Sequence, residues 1–307
     1  MIGRVVEIVR EGAHLSLHRG FLRVSEAGKE VGHVAVEDIG ALIVRGYGAT
    51  VSVNLCSRLA EAGVPVVLCG ANQSPDALIW PVRGHFEQGR RMQAQSEAGR
   101  PLRKRLWRDL VAAKIRAQEE VLFARFGKQD ERLRWMIKTL KSGDPENLEA
   151  QAARHYWPRL MGERFRRNRD ADGVNAALNY GYTVLRAAAA RAILAAGLHP
   201  SLSVHHESRG NALRLADDLM EPFRPYVDGV VAEWVGQGEF EIDKERKAAL
   251  VAVLTLDLAG PNGARPVQSC LDALATSLAM VYTGEGRGLE LPGGAFSRSH
   301  AVRAGTG

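Results

Sequence analysis

The hydrophobic rhythm of the chain changes near Trp80-Pro81-Val82, and that change asks for a fold in two parts. Ahead of it, Val5-Val6-Glu7-Ile8, Leu15-Ser16-Leu17, Phe21-Leu22-Arg23-Val24 and His33-Val34-Ala35-Val36 are short β-prone runs separated by the turn-forming Gly12, Gly20 and Gly28. Ala41–Val44 and Val64–Cys69 read as further strands around a helix near Val51–Ala62, a strand–helix–strand unit attached to the β-rich part. Gly46-Tyr47-Gly48-Ala49-Thr50 lacks the glycine and lysine spacing of a phosphate-binding loop, so this half is expected to be structural or an interface.

From Arg83 to about Tyr282 nearly every segment reads as helix. Leu102, Leu106, Leu110, Val111 and Ile115 follow the helical repeat with basic residues between them, the pattern of a solvated amphipathic face. Asn175 to Ala196 is alanine-rich and carries only Arg186 and Arg191 as charges, which predicts a central buried helix. The expectation is an α+β protein: a β-rich N-terminal domain over residues 1–82, an all-α domain over 83–283, and a flexible, glycine-rich basic tail over 284–307.

The net charge of +6 and a pI near 9.4 come from an excess of arginine, which suits bidentate contacts to phosphate and makes nucleic acid the leading partner class. Cys56, Cys69 and Cys270 form no CxxC pair, so neither a disulfide framework nor a zinc ribbon is indicated. No apolar run reaches the roughly 20 residues of a membrane span, and the charged N-terminus is unlike a signal peptide; the expected location is the cytoplasm.

The stretch from His205 to Pro225 is the densest in chemistry. Two imidazoles, His205 and His206, precede Asp217, Asp218 and Glu221; Asp217 or Asp218 is the expected N-cap of a long helix, and Asp218 and Glu221, three apart, share a helical face. If the loop folds His206 back, two carboxylates and an imidazole converge, a set that suits Mn²⁺ or Mg²⁺. On spacing alone an ordinary acidic first turn fits better. Glu149 sits among Leu148, Ala150, Ala152 and Ala153, either buried, and then in need of a cation or hydrogen bonds, or exposed on its helix. Arg164, Arg166, Arg167 and Arg169 form a phosphate track or a solvated turn. Tyr180 and Tyr182 read as core tyrosines, and Arg209 and Arg224 as contacts to an anion or to local carboxylates.

LEAQAARHYWPRLMG, then RFRRNRDADGVNAALNYGYTVLRAAAARAILAAGLHPSL, then the paired histidines and ADDLMEPFRPYVD, resemble the three blocks of the integrase subunit of the CRISPR spacer-acquisition machinery. The flavour is type II, II-C-like, in which DLMEPFRP follows a paired histidine. The resemblance is close from Arg83 to about Val230, holds in outline over the β-rich region and is weak after Asp228. It implies a helical, metal-binding catalytic domain in which Glu149, His206 and Glu221 hold one Mg²⁺ or Mn²⁺ and Asp218 lies beside the metal and the DNA. It implies DNA contacts from Arg164, Arg166, Arg167, Arg169, Tyr180, Tyr182, Arg209 and Arg224. Ser203-Val204 stands where a Gly-Ile pair is common, and Arg209 to Leu215 lacks the usual Asn-Leu, which leaves His205 and His206 both open as the ligand.

The implied activity is that of a metal-dependent DNA endonuclease and integrase, inserting spacers by 3′-hydroxyl transesterification. The implied partners are double-stranded protospacer and repeat DNA, a second copy in a homodimer paired through residues 1–82, the small second adaptation protein in a heterohexamer, and the effector nuclease. The alternative is a DNA-binding scaffold of the same fold without catalysis. A helical di-metal oxidase is disfavoured because Glu-x-x-His occurs only at Glu11/His14 and Glu30/His33, in the β-rich part.

Overall fold

Strand β1 (Arg4–Ile8) opens the structure, a computed structural model that describes residues 4–70, 75–79, 81, 84–168, 171–208, 210–235, 241–259 and 263–293. It is followed by β2 (His14–His18), β3 (Phe21–Glu26), β4 (Lys29–Ala35), β5 (Ile39–Val44), β6 (Thr50–Val51), α1 (Val53–Glu61), β7 (Val66–Cys69) and β8 (Pro75–Ile79). These strands make two four-stranded sheets, ordered β4-β3-β2-β6 and β1-β5-β7-β8. In the first, β2, β3 and β4 pair antiparallel through two-residue turns, Arg19-Gly20 and Ala27-Gly28, with positive φ at all four residues. That is the turn whose twist matches right-handed strands, and it explains the glycines at 20 and 28.

The second sheet is parallel from β1 through β5 to β7 and is covered on both faces. Leu42 and Val44 of β5 pack with Leu15, Leu22, Leu55 and Leu59, while Ala41 and Ile43, with Val67, meet Ala187 of the helical part. A strand buried on both sides must be apolar at every position, which is why β5 reads Ile-Gly-Ala-Leu-Ile-Val and is buried throughout.

The helical part holds α2 (Gln88–Ser96), α3 (Arg100–Phe126), α4 (Glu131–Thr139), α5 (Leu148–Met161), α6 (Val174–Ala195), α7 (Arg214–Met220), a 3₁₀ turn over Glu221–Phe223, and α8 (Arg224–Ala232). Helix α9 (Lys244–Ala252), a small ribbon of β9 (Asp257–Leu258) and β10 (Arg265–Pro266), and α10 (Val267–Tyr282) close it. Helix α6 is the axis: its alanine face lets α7, α8, α9, α10 and β5 approach. At Gly181 the approach is closest, since a Cβ there would lie 2.4 Å from Val227 Cγ1 on α8.

Three expectations change. The acidic cluster does not open a long helix, because α7 starts after Leu213 and Asp217 and Asp218 fall inside it. Pro222 and Pro225, which have no N–H to donate, then split the run into α7, a turn and α8. Strand β8, which begins on Pro75, and the β9–β10 ribbon were not legible as strands. The expected free tail is attached at its start: Leu289 and Leu291 pack on the helical core, and Glu285 and Glu290 pair with Arg90 and Arg265. Trp80, Val82, Arg83 and the tail from 294 to 307 lie outside the described residues. Among the described residues no helix is long and apolar enough to cross a membrane.

Gly181→Ala gains helix propensity of about 1 kcal/mol but forces α6 off α8, and overpacking of this kind costs about 1–3 kcal/mol. Urea unfolding is expected to show a net loss of stability. A variant as stable as the parent would mean that the α6–α8 contact is looser than the structure shows.

Candidate active site

Lys114 stands in the middle of α3 with its side chain buried, four residues after Leu110 and one before Ile115, both fully inside the core. A buried ammonium needs anionic partners. Two glutamates meet it. Glu149 comes from the first turn of α5, which is built by a local device: Asp144, at positive φ, accepts the backbone N–H groups of Leu148 (2.7 Å) and Glu149 (2.9 Å), and Asn147, also at positive φ, accepts that of Ala150 (3.3 Å). With those donors satisfied, the Glu149 carboxylate is left to accept a hydrogen bond from Lys114 Nζ.

Glu221 comes from the 3₁₀ turn between α7 and α8 and is nearly inaccessible. Its Oε2 lies 2.6 Å from Lys114 Nζ, and its Oε1 lies 3.2 Å from Arg224 Nε. Burial would push this carboxyl up, but Arg224 and Lys114 outweigh it and hold it at about 2. Burial likewise opposes the charge on Lys114, and Glu221 and then Glu149 keep it raised above the ordinary lysine value.

Beside this triad the loop before α7 is pinned by Asp218, which has no solvent exposure. Its carboxylate accepts the N–H groups of Val204 (2.6 Å), His205 (3.1 Å) and His206 (3.3 Å) and sits 2.6 Å from His206 Nδ1. Four donors on one buried acid fix both the loop and the imidazole. They separate the two histidines: His205 stacks on Trp107 of α3, centroids 4.1 Å apart and planes 5° apart, while His206 meets the edge of that indole at 5.7 Å and faces the acids. The hydrogen bond to Asp218 raises the His206 pKa against its burial, with the charges of Asp218 and Glu221 adding to it.

On the other side of Glu221, Arg224 lies over the ring of Tyr182 at 4.8 Å and Arg167 over the same ring at 5.4 Å. Arg167 donates to Asn175 Oδ1 (3.0 Å) and Asn179 Oδ1 (2.6 Å). The Tyr182 hydroxyl donates to Asp228 of α8, whose carboxyl burial pushes up to about 7 against the pull of Tyr182 and Arg224.

The structure therefore brings Glu149, Glu221, Lys114, Arg224, Tyr182 and Arg167 into one chain of contacts, with His206 and Asp218 alongside. Of the other expected residues, Arg164 and Arg166 are exposed, and Arg166 turns onto the carbonyls of Glu163 and Phe165. Tyr182 is buried, with Arg167 and Arg224 over its ring; Tyr180 looks towards Glu7 of β1 and carries Lys247 over its ring at 5.5 Å. Arg169 and Arg209 lie outside the described residues. Lys114, Trp107 and Asp228 were missed, although a lysine and an aspartate at apolar positions of helical runs carry that signal.

Among the described residues no three histidine, cysteine, aspartate or glutamate side chains close on one point as a ready cluster. The donors nevertheless fit a hard divalent cation: two carboxylates already share one cationic centre, and Asp218 takes Nδ1 of His206 and leaves Nε2 open to a ligand.

The description of the family CRISPR associated protein Cas1 matches residues 6–255. The chain is 37% identical over 237 residues to the CRISPR-associated endonuclease Cas1 of Neisseria meningitidis serogroup C, covering 77% of each chain. Its fold is similar to that of a casposase bound to integration product (TM-score 0.75, 19% identity, 93% of this chain and 92% of that one). It is also similar to part of a Cas6-RT-Cas1–Cas2 complex (TM-score 0.73, 16% identity, 93% of this chain and 36% of that one).

Asp218→Ala strips four donors of their acceptor, and removing one member of such a buried charged set costs about 3 kcal/mol. Urea unfolding should show a loss of that size, with the His205 ring released from Trp107 as a change in tryptophan fluorescence. Unaltered stability and fluorescence would mean that Asp218 does not hold this loop.

Proposed function

The chain belongs to the CRISPR-associated Cas1 family, and on that premise we propose that it is a divalent-metal-dependent DNA endonuclease and integrase. It inserts new spacers into a CRISPR array when the 3′-hydroxyl of a DNA end attacks a phosphodiester at the repeat boundary. The observation that carries this reading is the convergence of Glu149 and Glu221 on one cationic centre beside a histidine that a buried aspartate orients. Glu149, Glu221 and His206 would hold Mg²⁺ or Mn²⁺. When bound, such an ion polarises the phosphoryl oxygen and stabilises charge on the entering or leaving oxygen.

The chain's own residues prepare the site. Arg224 keeps Glu221 ionised, so that it offers an anionic oxygen. Asp218 acts as a positioning residue, holding His206 by Nδ1 and its loop by three backbone N–H groups. Tyr182 is a platform for Arg224 and Arg167, and its hydroxyl is tied to Asp228. Arg164, Arg166 and Arg167, with Arg169 and Arg209, are proposed to contact the phosphates of protospacer and repeat DNA, where lysine and arginine supply sequence-independent affinity.

Inserting a spacer needs two strand transfers, and each chain offers one such set of ligands. Two copies must act together, and the β-rich residues 1–82, which carry no chemistry, are the proposed two-fold contact. The likeness to a Cas1–Cas2 assembly supports the small second protein as the bridge between two such dimers in the cytoplasm. The order of the paired histidines and DLMEPFRP supports a type II, II-C-like system, with the effector nuclease as a further partner.

One observation favours a second reading: Lys114 already pairs with both glutamates, as an inactive DNA-binding scaffold would permit. Strand transfer with the small partner, repeat DNA and Mn²⁺ or Mg²⁺ separates the two. On the integrase reading the chain sediments as a dimer, EDTA abolishes transfer, and Glu149→Ala, Glu221→Ala or His206→Ala lowers it more than about 100-fold, with His205→Ala milder. DNA binding without metal-dependent transfer would return the scaffold.

A further inference from the structure

Lys114 plays no part in the chemistry proposed above, yet it occupies the space between the two carboxylates on which that chemistry depends. We propose that Lys114 is a resident counter-cation of the metal site, which bridges Glu149 and Glu221 in the metal-free protein and is displaced when a divalent ion enters. The inference rests on the metal reading of Glu149, Glu221 and His206, and it assigns to Lys114 the setting of metal affinity.

Four features carry it. The residue type fits: an ammonium is a compact point charge on a flexible four-carbon stem that can withdraw, where a guanidinium would lock both carboxylates in a planar fork. The backbone is fixed, because Lys114 lies mid-way along a 27-residue helix whose neighbouring side chains are core, so only the stem can move. The two glutamates are unequally open: the Glu149 side chain is 29% exposed and that of Glu221 is 6%, which leaves the Glu149 side as the route for an incoming ion.

The surrounding charges are committed elsewhere. Asp217 is paired with Arg186, Asp218 with the His206 loop, and Asp228 with Tyr182. Arg224 reaches Glu221 through Oε1, and Lys114 holds Oε2. Withdrawal of Lys114 therefore leaves one carboxylate oxygen from each glutamate facing the same space, with Arg224 on the other oxygen of Glu221, and a divalent ion is the natural replacement. The same geometry makes binding competitive: an ion must displace a buried ammonium and then tolerate its repulsion. This opposing charge outweighs the ordering that Lys114 provides, since Arg224 also holds the Glu221 carboxylate and the α5 cap fixes the backbone from which Glu149 projects.

The test uses the full chain and the neutral variants Lys114→Met and Lys114→Gln, with Mn²⁺ as the probe. The dissociation constant is read from the electron paramagnetic resonance of free Mn²⁺, and Tm is measured with and without metal. The proposal expects both variants to bind Mn²⁺ at least tenfold more tightly than the parent, to melt below it without metal, and to recover most of that deficit when Mn²⁺ is saturating. Variants that fold only with Mn²⁺ present also support it. Unchanged or weaker Mn²⁺ binding in both variants overturns it and leaves Lys114 a structural ion pair, as does failure to fold in either condition. If the parent itself binds no Mn²⁺ and Glu221→Ala makes no difference, the metal reading has failed and this inference with it.

Discussion

A buried ammonium with no counter-charge is not tolerated, and the need to balance Lys114 ties together the three elements that define this site. Helix α3 supplies the cation, the cap of α5 supplies Glu149, and the proline-broken segment between α7 and α8 supplies Glu221. Arg224 holds the Glu221 carboxylate independently of the lysine, and the α5 cap holds the backbone that carries Glu149, so the elements bearing both acids stay in place if the lysine leaves. The charge balance of the centre is thus separable from its geometry, which is what a site that exchanges one cation for another requires.

Around that centre the fold supplies rigidity. The alanine face of α6 brings α8 close enough for Tyr182 to reach Asp228 and for Arg224 to stack on the same ring. On its far side α6 covers the parallel sheet through Ala187. The β-rich part thereby rests on the helix that carries Tyr182, and a partner bound to that part would act on a stiff support.

Much of this architecture was legible because local signals and global packing agree. Gly20 and Gly28 mark two-residue turns, α1 lies where a helix near Val51–Ala62 was expected, and an alanine-rich run with only two charges became the central helix. The failures have physical causes. Asp217 and Asp218 were expected to open a helix because acids favour first turns, but Asp217 answers Arg186 and Asp218 answers a loop twelve to fourteen residues earlier. The paired histidines are alike in residue type, and Asp218 together with Trp107, on a distant helix, sorts them. Lys114 was passed over because basic residues on an amphipathic helix are usually solvated, and Asp228 because its partner is 46 residues away.

The account stands on one divalent ion replacing one ammonium between two glutamates. The most direct measurement is anomalous diffraction from crystals grown with Mn²⁺. The account predicts one anomalous peak in contact with carboxylate oxygens of Glu149 and Glu221 and with Nε2 of His206, and a Lys114 side chain withdrawn from both acids. A metal-soaked crystal with Lys114 still bridging the glutamates and no peak beside them would contradict it.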